Sequence, residues 1–201
     1  MKRNSLYLAV ILCTSMLLTS CSAAWVSTLD TILAAAAPAL INILQVIAVA
    51  ESKPFHADLA SKIKLDAATI KQLAGDFASA SAASAVGVCQ QLNAAVGVYT
   101  QDQQAVLALA QVSDSATQQK IAVLTGLVTS TIGSITAVLP QCQNPAGKMA
   151  APPLNVGKFV TGYNAALTAK TGNASVDALT PKLKIHEHGA FARYATAGIL
   201  Q

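Results

Sequence analysis

The sequence contains few charged residues and few aromatic ones. Of its 201 residues, 11% are Asp, Glu, Lys or Arg and 4% are Phe, Trp or Tyr, with Trp25 the single tryptophan. Nucleic-acid recognition ordinarily needs clustered cations and aromatic platforms for bases. Neither is present in this sequence. We therefore expect no nucleic acid among its partners.

The common catalytic signatures are also missing. The sequence contains no G-x-S-x-G nucleophile elbow, no G-x-x-x-x-G-K-[ST] phosphate loop, no G-x-G-x-x-G fingerprint and no H-E-x-x-H metal motif. The short run His186-Glu187-His188 makes His186 and His188 weak candidates for a metal site, because zinc needs three or four convergent ligands. We therefore expect that the protein is not an enzyme and that it binds no cofactor, metal ion or small-molecule ligand.

The most informative stretch that is present lies near the N-terminus. Lys2 and Arg3 precede an apolar segment from 6 to 18. The last residue of this segment is also the first of the run Leu18-Thr19-Ser20-Cys21. A positive start, a short apolar region and small residues before a cysteine are typical of a secretory signal. The four residues that end at Cys21 resemble the lipobox of bacterial lipoproteins.

The lipobox resemblance implies a processing pathway and a location. Residues 1–20 would be a cleaved signal peptide, and Cys21 would carry a diacylglyceryl group and an acylated amino group, for example with palmitate. Ser22, rather than Asp, follows the cysteine, which implies an anchor in the outer membrane with the domain facing the periplasm of the cell envelope. Ordinary secretion, with cleavage after Ala23 or Ala24, is the alternative.

The chain beyond the signal is rich in residues that favour helices. Residues 21–201 are long enough for one domain with a core, and Ala, Leu and Gln are abundant. A segment rich in proline and glycine at about 140–153 interrupts the helical patterns. We predict an all-α fold: an antiparallel bundle of about four to six helices with a short irregular C-terminal segment.

The uncharged segment 31–50 is as long as a membrane span, yet its pattern favours a buried helix. Leu33, Leu40 and Ile47 belong to an apolar stripe with steps of three and four, and polar residues recur on another face. We expect a central helix that is kinked or interrupted near Pro38. A membrane-inserted or membrane-active helix is the alternative.

Two further periodic segments predict a helical hairpin. Apolar residues recur at helical spacing from Val86 to about Gln111 and again from Ile121 to Leu139, with a turn near Ser113. Cys89 and Cys142 then lie at the open end of the hairpin. An exported protein meets an oxidising environment, so we predict a disulfide between these two cysteines.

The remaining segments predict shorter elements. Asp58 and Asp66 are both candidate helix N-caps. We expect the first helix of the hairpin to be continuous, and a Thr100 to Gln103 capping box that restarts it is the alternative. Apolar residues from 156 to 170 predict one more helix, with Ser175 as the cap of a short turn. The alternation in 182–186 favours a short extended segment.

Taken together, these features predict a lipid-anchored helical module that binds or scaffolds another envelope protein and contacts the membrane through its anchor. Two other functions remain open. Paired carboxylates need only be close in space, so dispersed acids, or His186 and His188, would serve a hydrolase of an envelope polymer. The third possibility is a membrane-active protein that uses residues 31–50.

Overall fold

The computed structural model describes residues 3–139 and 155–186, with side chains from Trp25 onward except those of Ala82 and Val138. The described chain forms helices and contains no strand. The elements are α1 Arg3–Ala50, α2 Ala57–Ser79, α3 Ala82–Leu109, α4 Ser115–Val138, α5 Val156–Thr168 and α6 Ala174–Leu179, followed by a 3-10 turn at Thr180–Leu183. The prediction of an all-α bundle is confirmed.

Helix α1 is the centre of the bundle. It contacts α2, α3, α4, α5 and α6, and the predicted stripe from Leu33 to Ile47 is buried. From Ile32 to Ala48, burial extends around most of the helix, because Ala35, Ala37 and Ala39 are also inaccessible to solvent. Small side chains allow neighbouring helices to approach on several sides, so the whole segment becomes core.

Pro38 does not interrupt α1, so of the two expectations for this position, a kink or an interruption, the interruption is wrong. The helix continues from Arg3 to Ala50 with Pro38 in its interior. Pro38 lacks the N–H that would bond to the carbonyl of Ala34. Packing on all sides holds the helix together at this position.

The first four helices alternate in direction. Trp25 packs edge to face on Phe77, with ring centroids 6.1 Å apart, and Asp30 pairs with Lys71 at 2.8 Å, so α1 and α2 are antiparallel. Glu51, which follows α1, accepts a hydrogen bond of 2.7 Å from the backbone N–H of Ser113, which precedes α4. Helices α1 and α4 are therefore antiparallel as well.

A helix start at Asp66 is wrong, and Asp58 lies within the first turn of α2 instead of capping it. The continuous helix predicted from Val86 to about Gln111 is confirmed, and the alternative restart at Thr100 is not found. Helix α2 begins at Ala57 and continues past Asp66, and α3 runs without a restart through Thr100 and Gln103. The Thr100 hydroxyl donates to the Val96 carbonyl instead of capping a new helix. Capping residues occur at helix interiors as well as ends, and the packing of α2 and α3 on their neighbours keeps both helices continuous.

The predicted starts and faces of the later helices are largely correct. Asp114 caps α4 by accepting a hydrogen bond of 2.7 Å from the Thr117 N–H. The apolar face of α5 is buried as expected, and it comprises Phe159, Val160, Tyr163 and Leu167. The cap of α6 is Asn173, not Ser175.

The C-terminal part of the described chain is tied to the core by buried hydrogen bonds. The Tyr163 hydroxyl donates to the Ala39 carbonyl at 2.8 Å, and the Asn42 amide donates to the Leu183 carbonyl. Residues 180–183 form a 3-10 turn rather than the start of an extended segment, although Leu183 and Ile185 are buried in the predicted alternation. These bonds fix α5 and the 3-10 turn against α1.

Candidate functional site

The predicted lipid-attachment residue lies on the central helix. Cys21 falls within α1, four residues before Trp25. A helix rises about 1.5 Å per residue, so Cys21 is about 6 Å along the axis from that tryptophan. Trp25 is only 1% exposed and belongs to the hydrophobic core. The predicted anchor point is therefore continuous with the core through one uninterrupted helix.

Within the part of the chain that the structure describes, two segments are long and apolar enough to cross a membrane. They are Trp25–Ala50, which is 83% buried inside the bundle, and Ser115–Ala137, which is 44% buried. The first is surrounded by other helices, as a core helix of a bundle is. Its apolar character is accounted for by contacts within the chain.

Of the predicted disulfide pair, Cys89 alone belongs to the described residues. It lies on α3, is fully buried and is disulfide-bonded. The side-chain amide of Asn93 donates to the Cys89 carbonyl at 2.9 Å. Cys142 lies outside the described residues, so its pairing with Cys89 remains a prediction.

The predicted weak metal candidates are not assembled into a site within the described residues. His186 is exposed after the 3-10 turn, and His188 lies outside the described residues. No group of three or more His, Cys, Asp or Glu is placed to hold a metal ion in the part of the chain that the structure describes.

An open depression lies at the start of α2. It is lined by Phe55, His56, Asp58 and Lys62 and has a volume of about 390 Å³.

The outer surface of α3 and α4 carries no charge. Each helix contains one charged residue, Asp102 in α3 and Lys120 in α4, and both are buried. One stripe of exposed positions on each helix, with the exception of Val123, carries small or amide-bearing residues: Ala83, Gly87, Gln90, Ala94, Gly97, Gln101 and Gln104 on α3, and Gln119, Val123, Gly126, Ser130, Gly133 and Ala137 on α4. We call these residues the neutral face. Beside this stripe, α3 also exposes Val86 and Val98. Helix α2, by contrast, exposes Lys62, Lys64 and Lys71.

Among the described residues, nothing packs against the glycines of the neutral face. A Cβ atom added at Gly87, Gly97, Gly126 or Gly133 would meet nothing within 4 Å. Each glycine in a helix interior costs about 1 kcal/mol relative to alanine. The contacts between described residues therefore give no reason for glycine at these positions.

A polar cluster lies where α2 packs on α3. Asp102 is 9% exposed and Tyr99 is fully buried. Neither the Asp102 Oδ2 atom nor the Tyr99 hydroxyl has a hydrogen-bond partner among the described residues. Burial raises the pKa of Asp102 to about 6, the carboxyl of Asp66 adds to the rise, and Lys62 opposes it. We call Asp66, Tyr99 and Asp102 the acidic cluster.

Sequence reasoning did not identify this acidic cluster. Asp66 was expected to cap a helix, and the helical pattern of α3 places Tyr99 with the apolar positions. Asp102 follows Tyr99 by three residues, which puts the two on one helix face. That spacing was the available signal, but the proximity of Asp66 depends on how α2 and α3 pack.

A second buried polar group is structural. Lys120 Nζ donates to the Leu167 carbonyl at 2.9 Å, near the end of α5, and lies 4.0 Å from the Asp177 carboxylate. Asp177 in turn accepts hydrogen bonds from the backbone N–H groups of Thr171 and Gly172. These contacts join α4 to the end of α5, to Asp177 of α6 and to the loop between these two helices.

Comparison with family models, with curated proteins and with solved structures finds no match to this chain.

Proposed function

We propose that this protein is a lipid-anchored module of the bacterial cell envelope that binds or scaffolds another envelope protein. Cys21 carries the lipid, and the helical bundle provides the binding surface. The observation that carries the proposal is the continuity of α1, which joins the lipobox-like Cys21 to the centre of the core.

The burial of Trp25–Ala50 supports a lipid as the membrane contact. A helix whose side chains are occupied by contacts with α2 and α4 has little apolar surface left for a bilayer. Acyl chains supply the anchoring energy instead, at about 0.8 kcal/mol for each buried methylene, and two or three chains hold a protein stably. An anchor about one turn from the core would keep the bundle close to the membrane surface.

The neutral face supports a protein partner. Removing charged groups from water is costly, and the neutral face carries none. Its glycines and alanines would allow a partner helix to approach closely, which gives a reason for glycine that the contacts within the chain do not. The outer surface of α2 differs in its charge, because Lys62, Lys64 and Lys71 are exposed there.

Metabolic labelling tests the anchor. The full chain is expressed in a bacterium with two membranes, together with an alkyne-bearing fatty acid. We expect label on the wild type and its recovery in the outer-membrane fraction. Cys21→Ser should lose the label, and Ser20→Ala should keep it, because alanine is also small. Equal labelling of wild type and Cys21→Ser would refute the anchor.

Cross-linking in native envelopes tests the binding role. Wild-type protein is cross-linked, captured in mild detergent and examined by mass spectrometry, which also reports the linkage of Cys89. Gly97→Glu and Val123→Glu place charges on the neutral face and should abolish the main cross-linked envelope protein. Ala68→Glu on α2 is the matched control and should retain it. Loss with Ala68→Glu but not with Gly97→Glu would exclude the neutral face as the binding surface.

A further inference from the structure

One end of the bundle is fixed close to the predicted anchor residue. Cys21 lies about one turn before Trp25 on α1, and the Trp25 ring packs on Phe77 near the end of α2. Helix α2 ends two residues after Phe77, and α3 follows after a two-residue connection. The turn between α2 and α3 is therefore at the same end of the bundle as Cys21. We call residues 78–84, which include this turn, the anchor end.

The anchor end carries no charge. Residues 78–84 are all alanine or serine, and the side chains of Ser79, Ser81 and Ser84 are exposed. On α3, Val86 follows this segment and is 41% exposed. Removing charged groups from water is costly, whereas burying an exposed valine is favourable. The anchor end can therefore meet a lipid headgroup layer at little cost in hydration.

The opposite end of the bundle differs in charge. The connection between α1 and α2 contains Glu51 and Lys53, and Asp114 precedes α4. Along α2 and α3, the charged residue nearest to the anchor end is Asp76, two positions before it. Of the two ends, the anchor end is the one whose chemistry suits contact with a membrane surface.

The distance between Cys21 and the anchor end matches the thickness of a headgroup layer. A bilayer is about 40–45 Å thick and its hydrocarbon core about 30 Å, so the polar layer on each side measures about 5–8 Å. Trp25, which is level with the anchor end, lies about 6 Å from Cys21 along the axis of α1. With the acyl chains of Cys21 in the hydrocarbon, the anchor end lies at the headgroups.

A bundle lying on its side would hold Cys21 too far from the bilayer. From Ile32 to Ala48, α1 is surrounded by other helices. Packed helix axes are about 8–10 Å apart and a helix has a radius of about 5 Å, so the axis of α1 would lie about 13–15 Å above the membrane surface. Because α1 is uninterrupted, Cys21 would lie at the same height. That height would draw the acyl chains out of the hydrocarbon core.

We propose that the bundle stands on its anchor end, with the turn between α2 and α3 in contact with the phospholipid headgroups of the membrane that holds Cys21. The inference rests on the proposed lipid anchor. In this orientation α3 and α4 run along the membrane normal, and the charged opposite end points away from the bilayer. The neutral face then meets a partner that stands beside the protein at the same membrane.

Tryptophan quenching in vesicles tests the orientation. Trp25 is the single tryptophan, so Trp25→Phe provides a background in which one introduced tryptophan reports its own position. The acylated protein is placed in phosphatidylcholine vesicles whose acyl chains are brominated near the glycerol, because bromine quenches tryptophan on contact. Ser81→Trp at the anchor end should be quenched several-fold more strongly than Gln111→Trp, which lies at the opposite end.

Two positions on the sides of the bundle complete the test. Lys64→Trp on α2 and Gln101→Trp on the neutral face should be quenched as weakly as Gln111→Trp. Strong quenching at either one would show a bundle lying on its side, and an unquenched Ser81→Trp would show a bundle that stands clear of the membrane. Both results overturn the orientation. Mass spectrometry of the same samples reports the acyl chains, so a failure of the anchor itself is recognised separately.

Hydrogen exchange provides a second measurement, which needs no introduced tryptophan. In phosphatidylcholine vesicles, amides of residues 78–84 should exchange several-fold more slowly in the acylated wild type than in Cys21→Ser, which has no anchor. Amides of residues 51–56 and 110–114 should exchange equally in both proteins. Equal exchange of 78–84 in the two proteins would overturn the contact with the headgroups.

Discussion

Lys120 keeps a positive charge inside the bundle because its partners are fixed by the backbone. The ammonium group donates to the Leu167 carbonyl, one of those near the end of α5 that lack a partner within their own helix. Burial lowers the pKa of Lys120, and the carboxylate of Asp177 opposes this effect. A single long side chain thereby joins α4, α5 and α6.

Replacing Lys120 tests this role. Lys120→Met retains most of the side-chain volume but leaves the Leu167 carbonyl without its donor and Asp177 without its cation. We expect a loss of about 2 kcal/mol in the free energy of unfolding, measured by urea denaturation with circular dichroism. Lys64→Met, on the exposed side of α2, is the control and should change stability by less than about 0.5 kcal/mol. Equal effects of the two variants would argue against a structural role for Lys120.

At the scale of the element, α1 and the two helices of the neutral face behave differently. Helix α1 is buried on most sides and is held by packing, which keeps it continuous through Pro38. Helices α3 and α4 bury one stripe and expose another that is rich in glycine and alanine. Core substitutions in α1 should therefore be costly, whereas substitutions at exposed glycines should not be.

Truncation of a core residue in α1 tests the expectation that core substitutions in this helix are costly. Ile43 is completely buried, and Ile43→Ala should lower the free energy of unfolding by about 2–5 kcal/mol because it leaves a cavity. Leu65 is 67% exposed on α2, so Leu65→Ala should cost less than about 0.5 kcal/mol. Urea denaturation checks both values. A small loss for Ile43→Ala would show that α1 is not packed as the core.

Substitution of the exposed glycines by alanine should change stability in the opposite direction. Gly97→Ala and Gly133→Ala add a methyl group in open space and should each stabilise the protein by about 0.5–1 kcal/mol, because alanine favours helix. Gly172 is the control: its φ of +84° suits glycine, so Gly172→Ala should destabilise by about 1 kcal/mol. Thermal unfolding measures whether each variant is more or less stable than the wild type. Destabilisation by Gly97→Ala would indicate a packing partner for that position.

At the scale of the whole molecule, two sets of carboxyl groups give stability opposite dependences on pH. Hydrogen bonds from Ser113 lower the pKa of Glu51, those from Thr117 lower that of Asp114, and those from Thr171 and Gly172 lower that of Asp177. Their contributions are present above about pH 4 and are lost as pH falls through the lowered values. Asp102 acts in the other direction, because its pKa is raised to about 6.

These opposing effects predict a stability maximum at mildly acidic pH. The melting temperature of the full chain in mild detergent should be highest near pH 4–5 and should fall both below pH 4 and between pH 5 and 7. Differential scanning calorimetry across this range measures the profile. Asp102→Asn should remove the fall between pH 5 and 7 and leave the fall below pH 4 intact. A wild-type maximum at neutral pH would contradict the assignment.

The sequence by itself determined the helical class, the apolar faces of α4 and α5, and the burial of the segment 31–50, because helical periodicity records which side of a helix avoids water. It also supplied the lipobox-like Cys21, on which the proposed location depends. Only the tertiary structure decided that α2 continues through Asp66 and that Asp102 is buried where α2 packs on α3. Local capping preferences amount to about 1 kcal/mol, whereas the packing of one helix on another involves many side chains and decides the outcome. Contacts between α2 and α3 depend on the rotation and register of both helices, which no spacing within one segment encodes.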